Sequence, residues 1–153
     1  MVQQFPEVSG YNLEKNLYKV PADLEGKLNL LIIPFQRWHQ ELVDEWAFYL
    51  SPFLTEDLKL YEIPTLNSRY KIMRWMIDGG MRAGISDIKV RQRTITLYIN
   101  KGSFKKALDI PNEDTIYLFL IRPSGDILWR AKGRFRQESF EELKHKIEDE
   151  LNF

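Results

Sequence analysis

The sequence predicts an α/β fold in three layers. A mixed central sheet lies between helices on both faces, preceded by an N-terminal hairpin extension. Three observations carry that expectation. Residues 27–35 hold a nearly unbroken apolar run, Leu-Asn-Leu-Leu-Ile-Ile, the composition of a strand buried on both faces. Residues 36–52 follow with apolar side chains four apart, the spacing of a helix. Two apolar segments, 115–121 and 127–132, flank Pro123-Ser124-Gly125-Asp126, which reads as an antiparallel hairpin. A buried strand that crosses over a helix to a second strand makes a parallel pair, and the late hairpin makes the sheet mixed.

Each element has its own local reason. The first 22 residues are punctuated by Pro6, Gly10 and Pro21, and 13–20 suggest a short hairpin around Glu14-Lys15-Asn16. Gly26 introduces the buried strand. In the helix 36–52, Trp38, Leu42, Trp46 and Leu50 form a stripe, Val43 and Ala47 widen it, and Pro52 stops it. Residues 58–63 are a second strand, ended by Pro64. Asn67 or Ser68 caps the next helix, with Tyr70, Ile72, Met73, Met76 and Ile77 as its apolar positions. Gly79-Gly80 and Gly84 are expected to break or fray it. Residues 93–99 alternate Thr94, Thr96 and Tyr98 with Ile95, Leu97 and Ile99, a strand pattern. A short helix over 103–108 and a last helix carrying Phe140, Leu143, Ile147 and Leu151 complete the order. No repeat or low-complexity tract divides the chain. One domain over 1–153 is expected, with 1–22 as its irregular or hairpin extension.

Composition narrows the chemistry. The hydrophobic fraction is 44% and the charged fraction 29%, which excludes intrinsic disorder. Twenty-two basic residues balance 22 acidic ones, so no global field draws the chain to nucleic acid, and none is expected as a partner. There is no cysteine, which excludes a disulfide, a thiolate nucleophile, an Fe–S cluster and a cysteine zinc site. That zero is silent on redox compartment. With His39 and His145 as the only histidines, no metal site is expected, and no cofactor. No apolar run reaches the ~20 residues of a membrane-spanning helix. The first residues, Met-Val-Gln-Gln-Phe-Pro-Glu, show no signal-peptide pattern, so the cytoplasm is the expected location.

The order of these elements is the thioredoxin order. Its pieces are Phe5-Pro6-Glu7-Val8-Ser9-Gly10 with Leu13, Leu24-Glu25-Gly26-Lys27 before the buried strand, and the late hairpin. On these the chain resembles the thioredoxin-like superfamily, in its redoxin or peroxiredoxin-type form, over nearly its whole length. Gly125, Ile127, Trp129, then Gly133 and an acidic helix with Glu138, are similar to the thioredoxin-like ATP-synthase assembly factor family of mitochondria. That resemblance implies an assembly role with protein partners. Its mitochondrial location and membrane partner are not carried over, because no targeting segment is read.

The departures bear on function. Thioredoxins place Trp-Cys-x-x-Cys after the first central strand, where the helix end stabilises a thiolate. Here that place reads Trp38-His39-Gln40-Glu41-Leu42, with His39 and Leu42 where the sulfurs would stand. The proline that precedes the hairpin strand in redox-active members, normally cis, is displaced: Asp114 precedes Thr115 and the nearest proline is Pro111. Thiol oxidoreductase and cysteine peroxidase activity are therefore excluded.

Each remaining candidate has two readings. His39 with Glu41 is either an acid–base pair in the old cleft or a solvent-facing histidine at a helix start; the second is preferred, and no catalytic residue is assigned. Trp38 and Trp46 lie eight apart and so share a face of the helix, and core packing is preferred for the pair. Trp38, nearer the helix start, doubles as a partner anchor, so Arg37, Trp38 and His39 form the candidate binding edge. Arg69, Arg74, Arg82, Lys89, Arg91 and Arg93 make the middle of the chain basic. A solvated surface is preferred there over a patch for an acidic partner, anionic lipid or nucleic acid. Gly79 to Gly84 follow a helix and lack a Gly-Lys-Ser/Thr ending, so they are a connector rather than a phosphate loop. Met73, Met76 and Met81 are read as core filler before an adaptable groove. The function expected is a cysteine-free, redox-inactive protein-binding or assembly factor. The alternatives are an enzyme reusing the cleft through His39 and Glu41, and a structural homodimer.

Overall fold

The computed structural model describes residues 3–151. Met1, Val2, Asn152 and Phe153, the ends of the expected 1–153 domain and the first two residues of the stretch searched for a signal, lie outside the described residues.

The chain opens with a hairpin of β1 (Val8–Asn12) and β2 (Leu17–Val20), in which Val8 faces Val20 and Tyr11 faces Leu17. It begins five residues earlier than the sequence suggested, and 13–16 are its turn. Asn12 explains why: its buried Oδ1 accepts the backbone N–H groups of Glu14 and Asn16 and closes the turn there. Then come β3 (Leu28–Ile33), a 3₁₀ turn at Arg37–His39, α1 (Gln40–Leu50) and a second 3₁₀ turn at Ser51–Phe53. β4 (Leu58–Glu62), β5 (Thr65–Asn67), a 3₁₀ segment Ser68–Met73 and α2 (Arg74–Gly84) follow. The remainder is α3 (Ile88–Gln92), β6 (Ile95–Ile99), α4 (Lys101–Ala107), β7 (Tyr117–Ile121), β8 (Ile127–Lys132) and α5 (Gln137–Leu151).

The mixed central sheet has the order β4-β3-β7-β8. β3 runs parallel to β4, with Leu30 opposite Leu60, and antiparallel to β7, with Leu31 opposite Phe119. All six residues of β3 are buried, as its composition requires. Side chains on a strand alternate in direction, so β3 feeds two cores. Leu28, Leu30 and Ile32 pack with Val43, Trp46 and Leu50 of α1 and Phe140, Leu143 and Ile147 of α5. Leu31 and Ile33 pack on the other face, with Phe104 and Leu108 near α4 and with Phe5 and Val20.

The N-terminal hairpin does not stand apart. β1 pairs with β6 to build a second sheet, β2-β1-β6-β5, joined to the first by a parallel bridge between Glu62 and Thr94. Gly10 permits the β1–β6 approach: a Cβ there would sit 2.4 Å from the Thr96 carbonyl oxygen. α2 runs unbroken through Gly79 and Gly80 to Gly84, where the sequence suggested a break. It buries none of its residues: Met76 is exposed and Met81 half-buried, and Met73 in the 3₁₀ segment before it is exposed, so none of the three is core filler. No helix among the described residues is long and apolar enough to cross a membrane. The cis peptide bond among them is Val20–Pro21.

Candidate functional site

The fold places the Arg37–His39 turn at the carboxyl end of β3, against the loop that enters β7. Ligands of open α/β sheets bind at such an edge. Arg37 and Trp38 point outward, and Trp38 is 53% exposed. His39 is fully buried and is not the solvent-facing histidine preferred from the sequence. Its Nδ1 accepts two backbone N–H groups, from Phe35 at 3.0 Å and Gln36 at 3.2 Å. A nitrogen that accepts twice carries no proton, so the neutral ring holds its hydrogen on Nε2. Nε2 is buried, and no group among the described residues makes a well-formed hydrogen bond with it, the Asp114 backbone standing nearby. Burial pushes the imidazole pKa down, and the Asp114 backbone with the Asp114 and Glu113 carboxylates opposes it without cancelling it.

Trp38 is held in place although it is exposed. Its ring meets the His39 ring edge-on at 4.5 Å, and its indole N–H donates to Gln36 Oε1 at 3.2 Å. Gln36 in turn donates to the Glu113 carbonyl at 2.6 Å, tying the turn to the β7 loop. Glu113 receives Lys101 at 2.8 Å and Lys105 at 2.7 Å. Burial raises its carboxyl pKa, and the two ammonium groups override that and hold it below the ordinary value. Tyr117 packs edge-on against Phe35 under this loop. Glu41 faces solvent on the first turn of α1, and no hydrogen bond joins it to His39 among the described residues. The site therefore brings Arg37, Trp38 and His39 into one turn and leaves Glu41 outside it.

Sequence reasoning missed Glu62. It ends β4, is buried, and lies opposite Ile32 near the same sheet edge. Burial raises its carboxyl pKa, while the charge of Arg93 pulls it back and Asp44 adds to the rise. The signal available was a lone carboxylate closing the apolar strand Leu-Lys-Leu-Tyr-Glu before Pro64. The chemistry this edge offers is limited. It holds no sulfur, and its one imidazole has its lone pair committed to backbone. What it offers a partner is a fixed, half-exposed indole beside a guanidinium.

A thioredoxin-like framework without a single cysteine defines a class, the thiol-free proteins of that fold. The family model described as ATP10 protein matches residues 3–149, and the chain belongs to that family. Among curated proteins none matches. Solved structures show the fold. BsSco, a member of the Sco family of cytochrome c oxidase assembly proteins, superposes with a TM-score of 0.67 at 11% identity, over 99% of this chain and 95% of that one. A thiol:disulfide interchange protein from Bacteroides sp. has a TM-score of 0.60 at 17% identity, over 100% and 91%. A thiol-disulfide oxidoreductase from Bacteroides fragilis has 0.59 at 13%, over 94% and 98%. The thioredoxin-like fold and the assembly-factor family, both read from the sequence, are borne out.

Proposed function

We propose that this chain is a protein-binding assembly factor that receives a partner segment on the Arg37–His39 turn, and that it is not an enzyme. The observation that carries the reading is Trp38, a large aromatic side chain left 53% exposed yet fixed by Gln36 and His39. A pre-ordered tryptophan loses little rotamer freedom on binding, which is why such residues dominate interface energetics. Family membership supports the class of function, and the absence of cysteine removes the thiol alternative. Acid–base catalysis through His39 and Glu41 is the weaker reading, because the imidazole is buried and its Nδ1 is engaged.

The test is affinity capture after in-cell crosslinking, comparing wild type with Trp38→Ala. A specific protein held by the wild type should be weakened by more than about tenfold, equivalent to ~1.4 kcal/mol. Equal capture by both forms would sink the docking assignment. A single domain and a cytoplasmic location belong to the same proposal. Subcellular fractionation that finds the chain inside an organelle overturns the location and leaves the docking intact. The homodimer is read separately, by light scattering: monomer mass across a wide concentration range excludes it.

A further inference from the structure

Residues 69–93 contain seven basic and two acidic side chains. Within this stretch, α2 and the 3₁₀ segment before it present large apolar side chains to solvent. Arg74, Ile77, Asp78 and Met81 of α2 are half-buried toward the protein, while Trp75 (76%) and Met76 (53%) of α2 and Ile72 (86%) of the preceding segment stand outward. A surface helix ordinarily shows solvent its polar face. Here the outward face is an apolar ridge, continued by Gly79, Gly80 and Ala83.

The charge around the ridge is positive in effect as well as in count. Glu14 is taken by Arg82 and Arg91, each at 3.3 Å. Asp78 accepts the Tyr98 hydroxyl at 2.7 Å, and Asp87 caps α3 through the Lys89 N–H at 2.9 Å. Among the described residues, Lys15, Arg69, Lys71, Arg74 and Lys89 have no carboxylate within 4.0 Å. Below the ridge, Arg74 lies over the Tyr11 ring at 4.2 Å. It stands between two open cavities of about 460 Å³ and 220 Å³, the first bordered by Lys15 and Arg82 and the second by Lys71.

We propose that this face docks on an anionic lipid bilayer, with Ile72, Trp75 and Met76 entering the headgroup boundary and the flanking Lys and Arg groups meeting lipid phosphates. The argument is charge complementarity joined to shape. An amphipathic helix with an aromatic and aliphatic ridge and basic flanks lies in the interfacial plane, its apolar face buried by ~5–10 Å. Basic groups near the surface add attraction to anionic lipid. α2 has 11 residues, so at ~1.5 Å per residue it is about half the length needed to span a bilayer, and it lies on the membrane without crossing it. This inference goes beyond docking at Trp38 and does not rest on it.

The test is co-sedimentation of the full chain with vesicles of phosphatidylcholine alone and of phosphatidylcholine mixed with phosphatidylglycerol. Binding should be confined to the mixed vesicles and should weaken with added salt. The double variant Trp75→Ser/Met76→Ser should lose about tenfold or more in affinity with an unchanged circular dichroism spectrum. Should that variant misfold, Lys71→Glu/Lys89→Glu keeps the ridge and should abolish the preference for the anionic lipid. No binding to either vesicle, equal binding to both, or binding indifferent to both variants overturns the proposal. So does self-association that the ridge variant abolishes in a chain that ignores vesicles, since the face would then belong to a second copy.

Discussion

At His39, two backbone amides converge on one imidazole nitrogen, and that contact shapes the turn that presents Trp38. Removing the ring leaves two half-buried N–H groups without their acceptor. His39→Ala should therefore cost roughly 1–3 kcal/mol in urea denaturation. The contact also sets a pH dependence. The folded state keeps the imidazole neutral, so its pKa lies below that of the unfolded chain, ~6.5. The unfolded state then binds the proton first as pH falls. This contribution is fully present above pH ~6.5 and is lost as pH drops toward the folded value. His39→Ala should flatten that part of the stability–pH curve, and an unchanged slope would refute the assignment. None of this was legible locally. Trp38-His39-Gln40 names the residues at the turn, but the ring's direction follows from where Phe35 and Gln36 place their amides.

At the scale of elements, regular periodicity was a good guide where the helix was regular and a poor one where it was not. Trp38 and Trp46 are eight apart and would share a face of a continuous α-helix. The 3₁₀ turn at Arg37–His39 winds at ~3.0 residues per turn rather than 3.6 and shifts the phase. Trp46 is buried and Trp38 is out. α2 shows the opposite case, in which glycines expected to end a helix sit inside it. Helix propensity is a weak prior against the contacts of the rest of the helix. A Cβ added at Gly79 or Gly80 would meet nothing within 4 Å. Gly79→Ala/Gly80→Ala should therefore raise helicity and stability, by about 0.5–1 kcal/mol at each site, read from thermal melting. A drop in melting temperature would show that α2 needs its glycines, for instance for close approach of a ligand.

Across the whole molecule, Trp46 ties the layers together. Its ring meets Trp129 of β8 at 6.2 Å and Phe135 at 5.1 Å, and its indole N–H donates to the Gly133 carbonyl at 2.9 Å. Gly133 N–H in turn donates to Ile116, at the entry to β7, at 3.0 Å. One side chain thus connects α1 to the hairpin and to the approach of α5. Trp46→Ala should cost ~3–5 kcal/mol, a large share of the ~5–15 kcal/mol that holds an ordinary domain. Trp46→Phe should cost less, because it keeps most of the apolar volume. Chemical denaturation of both variants checks the order, and equal losses would show that the hydrogen bond, not the packing, carries the effect.

Composition and short-range pattern were enough to settle several features of this protein. These are the absence of thiol chemistry, the buried strand, the late hairpin, the order of the main helices and strands without β5 and α3, and from that order the thioredoxin-like fold. Such features follow from residue type and from a period of two or 3.6, which neighbouring residues set among themselves. The tertiary structure decided what depends on partners distant in the chain. It buried His39 against its own loop, gave the hairpin β6 as a neighbour, placed Glu62 at the sheet edge, and turned the apolar side of α2 to the outside. A side chain's environment is made by residues that the sequence does not place beside it, and a helical stripe shows that one face is apolar without showing what covers it.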